Sequence, residues 1–418
     1  MLRALRVRDF RLLWAARAVA GLGTSMLVVA IPAHVFAVTG SVLATGVTLA
    51  FEYFPSLLLG PFAGVLADRW DRRRLMVATD LVHVVAISMA LLARTPETIW
   101  LVYVAVLGQG SAAVVFRPAA QAHIPAVVGT GPALTSANAL SAVTTGVVAL
   151  GGPPLGGLLF AFHGIGAVVA ASAAAGLLSA AAIAMTSARP RDPGAAARDV
   201  LAGIGLGLRH VRHAAATRGL LATNSLYLLA NAALTALLVP FGVTRLGGSV
   251  EVGYLLSALG LGFLIGAPLS RRLADRHSAR TTVAAGQALV AAAFALLFNS
   301  TALPVALFAA VLLGLPAVTV LVSVQTWVQR TTPEGLLGRV SSAFLTLEAA
   351  ATMVGAFAGP AVSEVFGMPA ALNAACVVAL LSAPLTLWLV PRRPAREADV
   401  EIQAGGAGGG RLPSLGGE

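Results

Sequence analysis

A succession of long apolar runs constrains this chain more than any other feature. A helix that crosses a bilayer needs about 20 mostly apolar residues, because it rises ~1.5 Å per residue across a hydrocarbon core of ~30 Å. Breaks at charges, Pro and Gly divide the sequence into twelve such runs, near residues 12–37, 43–67, 75–94, 98–118, 135–160, 165–187, 219–244, 251–270, 281–299, 303–327, 340–364 and 369–390. The runs are continuous rather than alternating, which argues against a β-barrel. Of the 418 residues, 58% are hydrophobic and only 11% are charged. A soluble protein carries about 25% charged residues. These proportions exclude a soluble enzyme, a disordered chain and a nucleic-acid-binding domain. The expected fold is an all-α membrane protein with twelve transmembrane helices.

The net charge is +11 and all 28 basic residues are Arg. They gather in alternate breaks between the runs: Arg3 to Arg11, Arg69 to Arg74, Arg117, Arg189 to Arg218, Arg271 to Arg280, and Arg330 with Arg339. The other breaks hold only Arg94 and Arg245. By the positive-inside rule the Arg-rich side is cytoplasmic, which places both termini inside and the chain in the plasma membrane. The first run is too long for a signal-peptide core, so no cleavable leader is expected. Cys376 is the single cysteine, which excludes an internal disulfide. With no Lys there is no Gly-Lys-Ser/Thr phosphate loop, so the chain does not itself use ATP.

The two halves repeat at an offset of about 207 residues. Leu66-Ala67-Asp68-Arg69 matches Leu273-Ala274-Asp275-Arg276, and Arg11 matches Arg218. The expected organisation is a six-helix half over 1–187, a cytoplasmic linker over 188–218, a second six-helix half over 219–390 and a disordered cytoplasmic tail over 391–418. Within the linker, 195–213 reads as an amphipathic helix on the membrane surface. Two parallel six-helix halves related by an axis along the membrane normal form a known transporter architecture.

Between runs 2 and 3 the chain reads Gly64-Val65-Leu66-Ala67-Asp68-Arg69-Trp70-Asp71-Arg72-Arg73-Arg74. Gly64 permits close helix approach, and Asp68 can bridge to Arg side chains or to a helix N-terminus. Gly64, Asp68, Arg69, Arg72 and Arg73, with Asp275 and Arg276 in the second half, are therefore candidates for a conformational latch at the cytoplasmic face. This pattern resembles the signature of the major facilitator superfamily, from which it departs at Asp71, where the family has Gly. The resemblance covers about residues 8 to 390. It implies that Asp68 and Arg72 join an inter-half latch favouring the outward-open state.

Run 5 holds Gly152-Pro153-Pro154-Leu155-Gly156-Gly157, where Gly and Pro permit close packing or kinking. Gly152, Pro153, Gly156 and Gly157 are similar to the signature of the family's antiporter branch, which implies a proton-coupled exporter, although Val148 replaces one glycine. Many drug/proton antiporters carry an Arg three residues before the Gln-Gly of run 4; Val106 stands there, before Gln109-Gly110. The stretch Phe116-Arg117-Pro118-Ala119-Ala120-Gln121-Ala122-His123-Ile124-Pro125 resembles a subgroup that includes macrolide-type drug exporters, the enterobactin exporter and lysophospholipid transporters.

Charge at membrane depth is costly and therefore a functional candidate. Glu52 in run 2 ranks first as a proton carrier, because a carboxyl in a low-dielectric site can hold a proton near neutral pH. Glu348 in run 11 ranks second. Asp80 and Glu364 lie nearer run ends and are expected to be solvated. Arg17 and Thr24 in run 1 correspond by the repeat to Asn224 and Asn231 in run 7, and Asn224, Tyr227 and Asn231 share one helical face. These stripes are expected to face a central substrate cavity, as the first helices of each half do in the resembled family. Tyr53, Met26, Phe54 and Tyr254 are candidate walls, His83 and Gln287 weaker members, and His34 and His163 interfacial residues. Apolar walls with few charges suit an amphipathic organic substrate.

The function expected is secondary active export of amphipathic or hydrophobic small molecules by proton antiport. A lysophospholipid or siderophore transporter, and a non-transporting receptor or scaffold, are the alternatives. No paired catalytic constellation is found, so no enzyme is expected. The expected partners are the small-molecule substrate and membrane lipid, with no nucleic acid. The chain is expected to act as a monomer with no cofactor, the proton gradient supplying energy.

Overall fold

The computed structural model describes residues 4–129, 132–187, 215–276, 278–332 and 337–391. The linker helix expected over 195–213 and the tail beyond 391 lie outside the described residues. The helices are α1 (Arg8–Thr39), α2 (Val42–Arg69), α3 (Arg72–Ser88), α4 (Trp100–Val128), α7 (Ala215–Phe241), α8 (Ser249–Arg276), α9 (Ala279–Phe298), α10 (Leu303–Thr331), α11 (Leu337–Phe366) and α12 (Met368–Leu389). Between α4 and α7 the helical stretch Pro132–Ala184 has 53 residues. Unbroken it would measure ~80 Å, more than twice the ~30 Å of a bilayer core. It breaks at Gly164, where φ is 72° and ψ −174°, a backbone conformation open to glycine but rarely to other residues. The result is α5 (132–163) and α6 (165–184), and twelve long α-helices among the described residues.

Successive helices run in opposite directions. One end of the bundle therefore gathers Arg11, Arg72, Arg73, Arg74 and Arg280 with both ends of the described chain; it is called the basic end here, and the other the distal end. The repeat is visible in the helix boundaries: α2 and α8 begin at Val42 and Ser249, and α3 and α9 at Arg72 and Ala279, each pair 207 residues apart. Caps repeat as well. Asp71 accepts the Arg74 amide at 2.8 Å at the start of α3, and Ser278 accepts the Thr281 amide at 3.3 Å at the start of α9. Asp71, the departure from the family pattern, thus serves as an N-cap.

The repeat also preserves a buried hydrogen bond. Ser179 of α6 donates to Asp80 Oδ2 of α3 at 2.6 Å. Thr386 of α12 donates to Gln287 Oε1 of α9 at 2.8 Å. Asp80 and Gln287 are 207 residues apart, as are Ser179 and Thr386.

Each half has its own core. In the second half Phe294 stacks on Phe298 with centroids 5.6 Å apart, and Phe241 meets Phe298 edge-on at 5.0 Å. In the first half Phe10, Leu13 and Met76 pack at the basic end, and Leu27, Ile87 and Val168 at the distal end. The halves join toward the distal end. There Val29 and Ala33 of α1 pack with Val239 of α7 and Val252 of α8. Glycines permit the closest approaches, as a Cβ added to Gly46 of α2 would strike Pro360 of α11. Glu364 of α11 crosses to the start of α2, where its Oε1 accepts the Ser41 hydroxyl at 2.8 Å and the Leu43 amide at 3.3 Å.

Candidate functional site

The polar stripe of α1 lines a cavity of about 520 Å³ inside the first half. Arg17, Gly21, Thr24 and Val28 recur at helical spacing and face it together. Trp14 is a fixed wall, because its indole N–H donates to the Thr144 hydroxyl of α5 at 2.8 Å. Thr24 satisfies its hydroxyl locally on the Ala20 carbonyl at 3.0 Å. His83 also lines this cavity, its Nε2 3.2 Å from the Ser172 hydroxyl.

Two residues of this cavity differ from expectation. Asp80 is not solvated: it is 7% exposed, bonded to Ser179, and lines the cavity. Its place near a run end suggested water, but α6 packs over it. Arg117 is not a cytoplasmic loop residue. Pro118 and Pro125 do not end α4, which runs on to Val128, so Arg117 lies on a helix and faces the cavity.

The matching stripe of α7 lines a second cavity, of about 250 Å³, in the other half. Asn224, Tyr227 and Asn231 all face it, with Glu348 from α11. Asn224 Nδ2 donates to Glu348 Oε1 at 2.6 Å, so the two candidates form one pair. The stripes thus face two cavities, one per half, rather than one shared chamber. A small crevice of about 70 Å³ adjoins both, sharing Val28 and Gln109 with the first cavity and Thr235, Leu238 and Leu256 with the second. Glu52 lines this crevice and is exposed to it, between α1, α2 and α4 on one side and α7 and α8 on the other. Together the three spaces reach from Phe10 and Ile124 near the basic end to Thr45 near the distal end.

Other candidates fall elsewhere. Tyr53, Phe54 and Tyr254 are exposed and line none of these three cavities. Gln287 is fully buried at the α9–α12 contact. His34 is not interfacial: it is buried, with Nε2 2.8 Å from the Ala93 carbonyl, while His163 is exposed. Among the described residues no group of His, Cys, Asp or Glu could hold a metal ion.

A membrane-crossing bundle of two repeated halves, with a cavity on the first helix of each, is a transporter's geometry. Residues 1–404 match the family model described as transmembrane secretion effector. The chain belongs to this family. It is thereby a multi-pass efflux transporter of the major facilitator superfamily. Multidrug efflux pump Tap of Mycolicibacterium fortuitum is 27% identical over 398 residues, covering 91% of this chain and 95% of its own length. Enterobactin exporter EntS of Escherichia coli O9:H4 (strain HS) is 27% identical over 361 residues, 83% of each chain. Among solved structures, the nucleoside transporter NupG superposes with a TM-score of 0.75 at 11% identity, covering 91% of this chain and 98% of that one. A bacterial homologue of the human lysosomal transporter Spinster gives 0.72 at 15% identity, covering 91% and 96%. These likenesses show the fold.

In this secretion effector the antiporter-type segment is a three-way contact. A Cβ added to Gly152 would strike Ser25 of α1, one on Gly156 would lie 2.7 Å from the Met26 Cα, and one on Gly157 would strike the Ser249 carbonyl of α8. Gly253 of α8 returns the contact against Pro153 and Pro154, where its Cβ would lie 2.7 Å from the Pro154 Cα. The segment packs α5 against both α1 and the opposite half. Of the latch candidates, Gly64, Asp68 and Arg69 fall in the last two turns of α2, and Asp275 and Arg276 end α8; their side chains lie outside the described residues. Arg72 Nη1 donates to the Ala122 carbonyl of α4 at 3.0 Å, and Arg73 Nη2 donates to the Ala184 carbonyl of α6. The Arg73 guanidinium thus meets the last carbonyl of α6, where positive charge is favoured.

Proposed function

We propose that this secretion effector exports amphipathic small molecules by proton antiport, its two halves rocking about the cavity tract. One observation carries the proposal: three adjoining spaces with mainly apolar walls and a few fixed polar groups run from inside one half, through a crevice between the halves, to the inside of the other. Such walls accept a varied apolar body, and the polar groups orient one end of it. The halves are joined distally and the tract reaches the basic end, the arrangement from which cargo enters on the Arg-rich side. That side is the cytoplasm, so both termini are cytoplasmic and the membrane is the plasma membrane. Glu52 and Glu348 are the proton-carrying candidates: one sits in the crevice between the halves, the other in the second cavity beside Asn224. The chain works as a monomer among membrane lipids, with no nucleic-acid partner and no cofactor, and takes its energy from the proton gradient.

The likeness to EntS favours a second cargo class within the same mechanism, a siderophore. Both are tested in proteoliposomes with an imposed pH gradient and a panel of lipophilic cations, macrolides, lysolipids and a catecholate siderophore. Export that follows the gradient and stops when an ionophore collapses it is the expected result. Export indifferent to the gradient removes the antiport mechanism, and no export of any panel member removes the proposed substrate class. Glu52→Gln and Glu348→Gln then assign the carrier: the variant whose transport no longer responds to the gradient marks the residue.

A further inference from the structure

The first-half cavity is lined by two guanidiniums that have no counter-ion among the described residues. Arg17 lies nine residues into α1, roughly 13 Å from its first residue at ~1.5 Å per residue. Arg117 lies eleven residues before the end of α4, roughly 16 Å in by the same measure. Both line the cavity. Among the described residues neither makes an ion pair or a hydrogen bond. The acidic side chain of the same cavity, Asp80, is turned into the α3–α6 contact, where it holds the Ser179 hydroxyl. His83, the other titratable group there, lies against Ser172. The walls around the two guanidiniums are apolar, with Phe10, Leu13, Trp14 and Phe116 near them.

Like charges facing one apolar cavity repel, and an unpaired charge at membrane depth is costly unless a partner arrives. A guanidinium also offers forked donors suited to carboxylate, sulfonate or phosphate oxygens. Resting on the exporter reading above, we propose that the cargo is an amphipathic organic anion, its acidic head held between Arg17 and Arg117 and its apolar body against the aromatic wall. The second-half cavity, whose charged member is Glu348, repels that head and so sets the polarity of binding.

The test uses three probes with one apolar body: 11-(dansylamino)undecanoic acid, its methyl ester and the corresponding primary amine. Their binding to the purified full chain in a neutral maltoside detergent is measured by equilibrium dialysis, and their export is followed in proteoliposomes. The acid is expected to bind at least about tenfold more tightly than ester or amine, the scale of one charge-assisted hydrogen bond. Arg17→Gln and Arg117→Gln each remove most of that preference, Arg17→Lys keeps part of it, and the double Gln variant abolishes it. Thermal unfolding in the same detergent reports whether the variants are folded. Equal or tighter binding of the amine to the unmodified chain overturns the inference, as does an acid preference that survives in the double variant or an acid that does not bind. Export of the ester in any of those cases leaves the exporter reading standing and removes only the anion.

Discussion

Glu364 is the first place to disturb the distal joint between the halves. Its carboxylate accepts two donors from the first turn of α2, the Ser41 hydroxyl at 2.8 Å and the Leu43 amide at 3.3 Å. The Leu43 amide has no partner within its own helix, as first-turn amides do not. Ser41 meanwhile caps the helix, its oxygen accepting the Ala44 amide at 3.1 Å. Buried hydrogen bonds to a charged group are worth ~1.5–3 kcal/mol each. Glu364 is exposed, so screening lowers each well below that range. Adding ~0.3–1 kcal/mol for a carboxylate at a helix N-terminus gives a clasp of about 1–2 kcal/mol. Glu364→Ala should then shift the population toward distal opening by ~5–30-fold, and Glu364→Gln, which keeps an acceptor oxygen, by less. The assay is a spin-label distance between Thr95→Cys in the α3–α4 connection and Thr301→Cys in the α9–α10 connection, with Cys376→Ser removing the native thiol. A longer distance gaining population in Glu364→Ala is expected. A distribution identical to that of the unmodified clasp would refute the idea that this contact holds the distal end shut.

Three further outcomes follow from packing. Gly156→Ala should destabilise by roughly 1–3 kcal/mol because its Cβ meets α1 backbone, whereas Gly151→Ala, with open space around it, should be neutral or gain up to ~1 kcal/mol of helix propensity; thermal unfolding in detergent compares them. Asp80→Asn should keep the Ser179 bond and unfold near the parent temperature. Asp80→Leu leaves that hydroxyl without its partner at a cost of ~1–3 kcal/mol, and an equal melting temperature for the two would discount the bond. Leu234→Ala in the fully buried core should cost ~2–5 kcal/mol, and Leu381→Ala on an exposed face much less, both read by the same unfolding scan.

The bundle was legible because bilayer thickness fixes run length, and the run count survived even where the hydrogen-bond ladder passes through Gly164. Helix ends were less so. Pro118 and Pro125 read as breaks in α4, yet neighbouring helices and local adjustment let a membrane helix continue through proline. The stripes on α1 and α7 were legible because the 207-residue offset superposes Arg17 on Asn224 and Thr24 on Asn231, two independent statements of one face. The burial of Asp80 was not, since it depends on which helix covers it. The same offset held the missing signal, because it carries Asp80 onto Gln287. Tyr53 was misplaced for a related reason: its neighbour Glu52 faces the crevice, and a step of one residue on a helix turns a side chain ~100° away.

The repeated bond on α3 and α9 has a consequence for how the halves differ. A carboxylate only accepts hydrogen bonds, a carboxylic acid also donates one, and an amide side chain always does both. Asp80 can therefore change its hydrogen-bonding role on taking up a proton, while Gln287, holding the same partner position on Thr386, cannot. In both halves the hydroxyl donates to a side-chain oxygen, but the second half holds there a permanently neutral group where the first holds one that can be charged. The duplicated fold thus keeps one titratable copy and one fixed copy of the same contact.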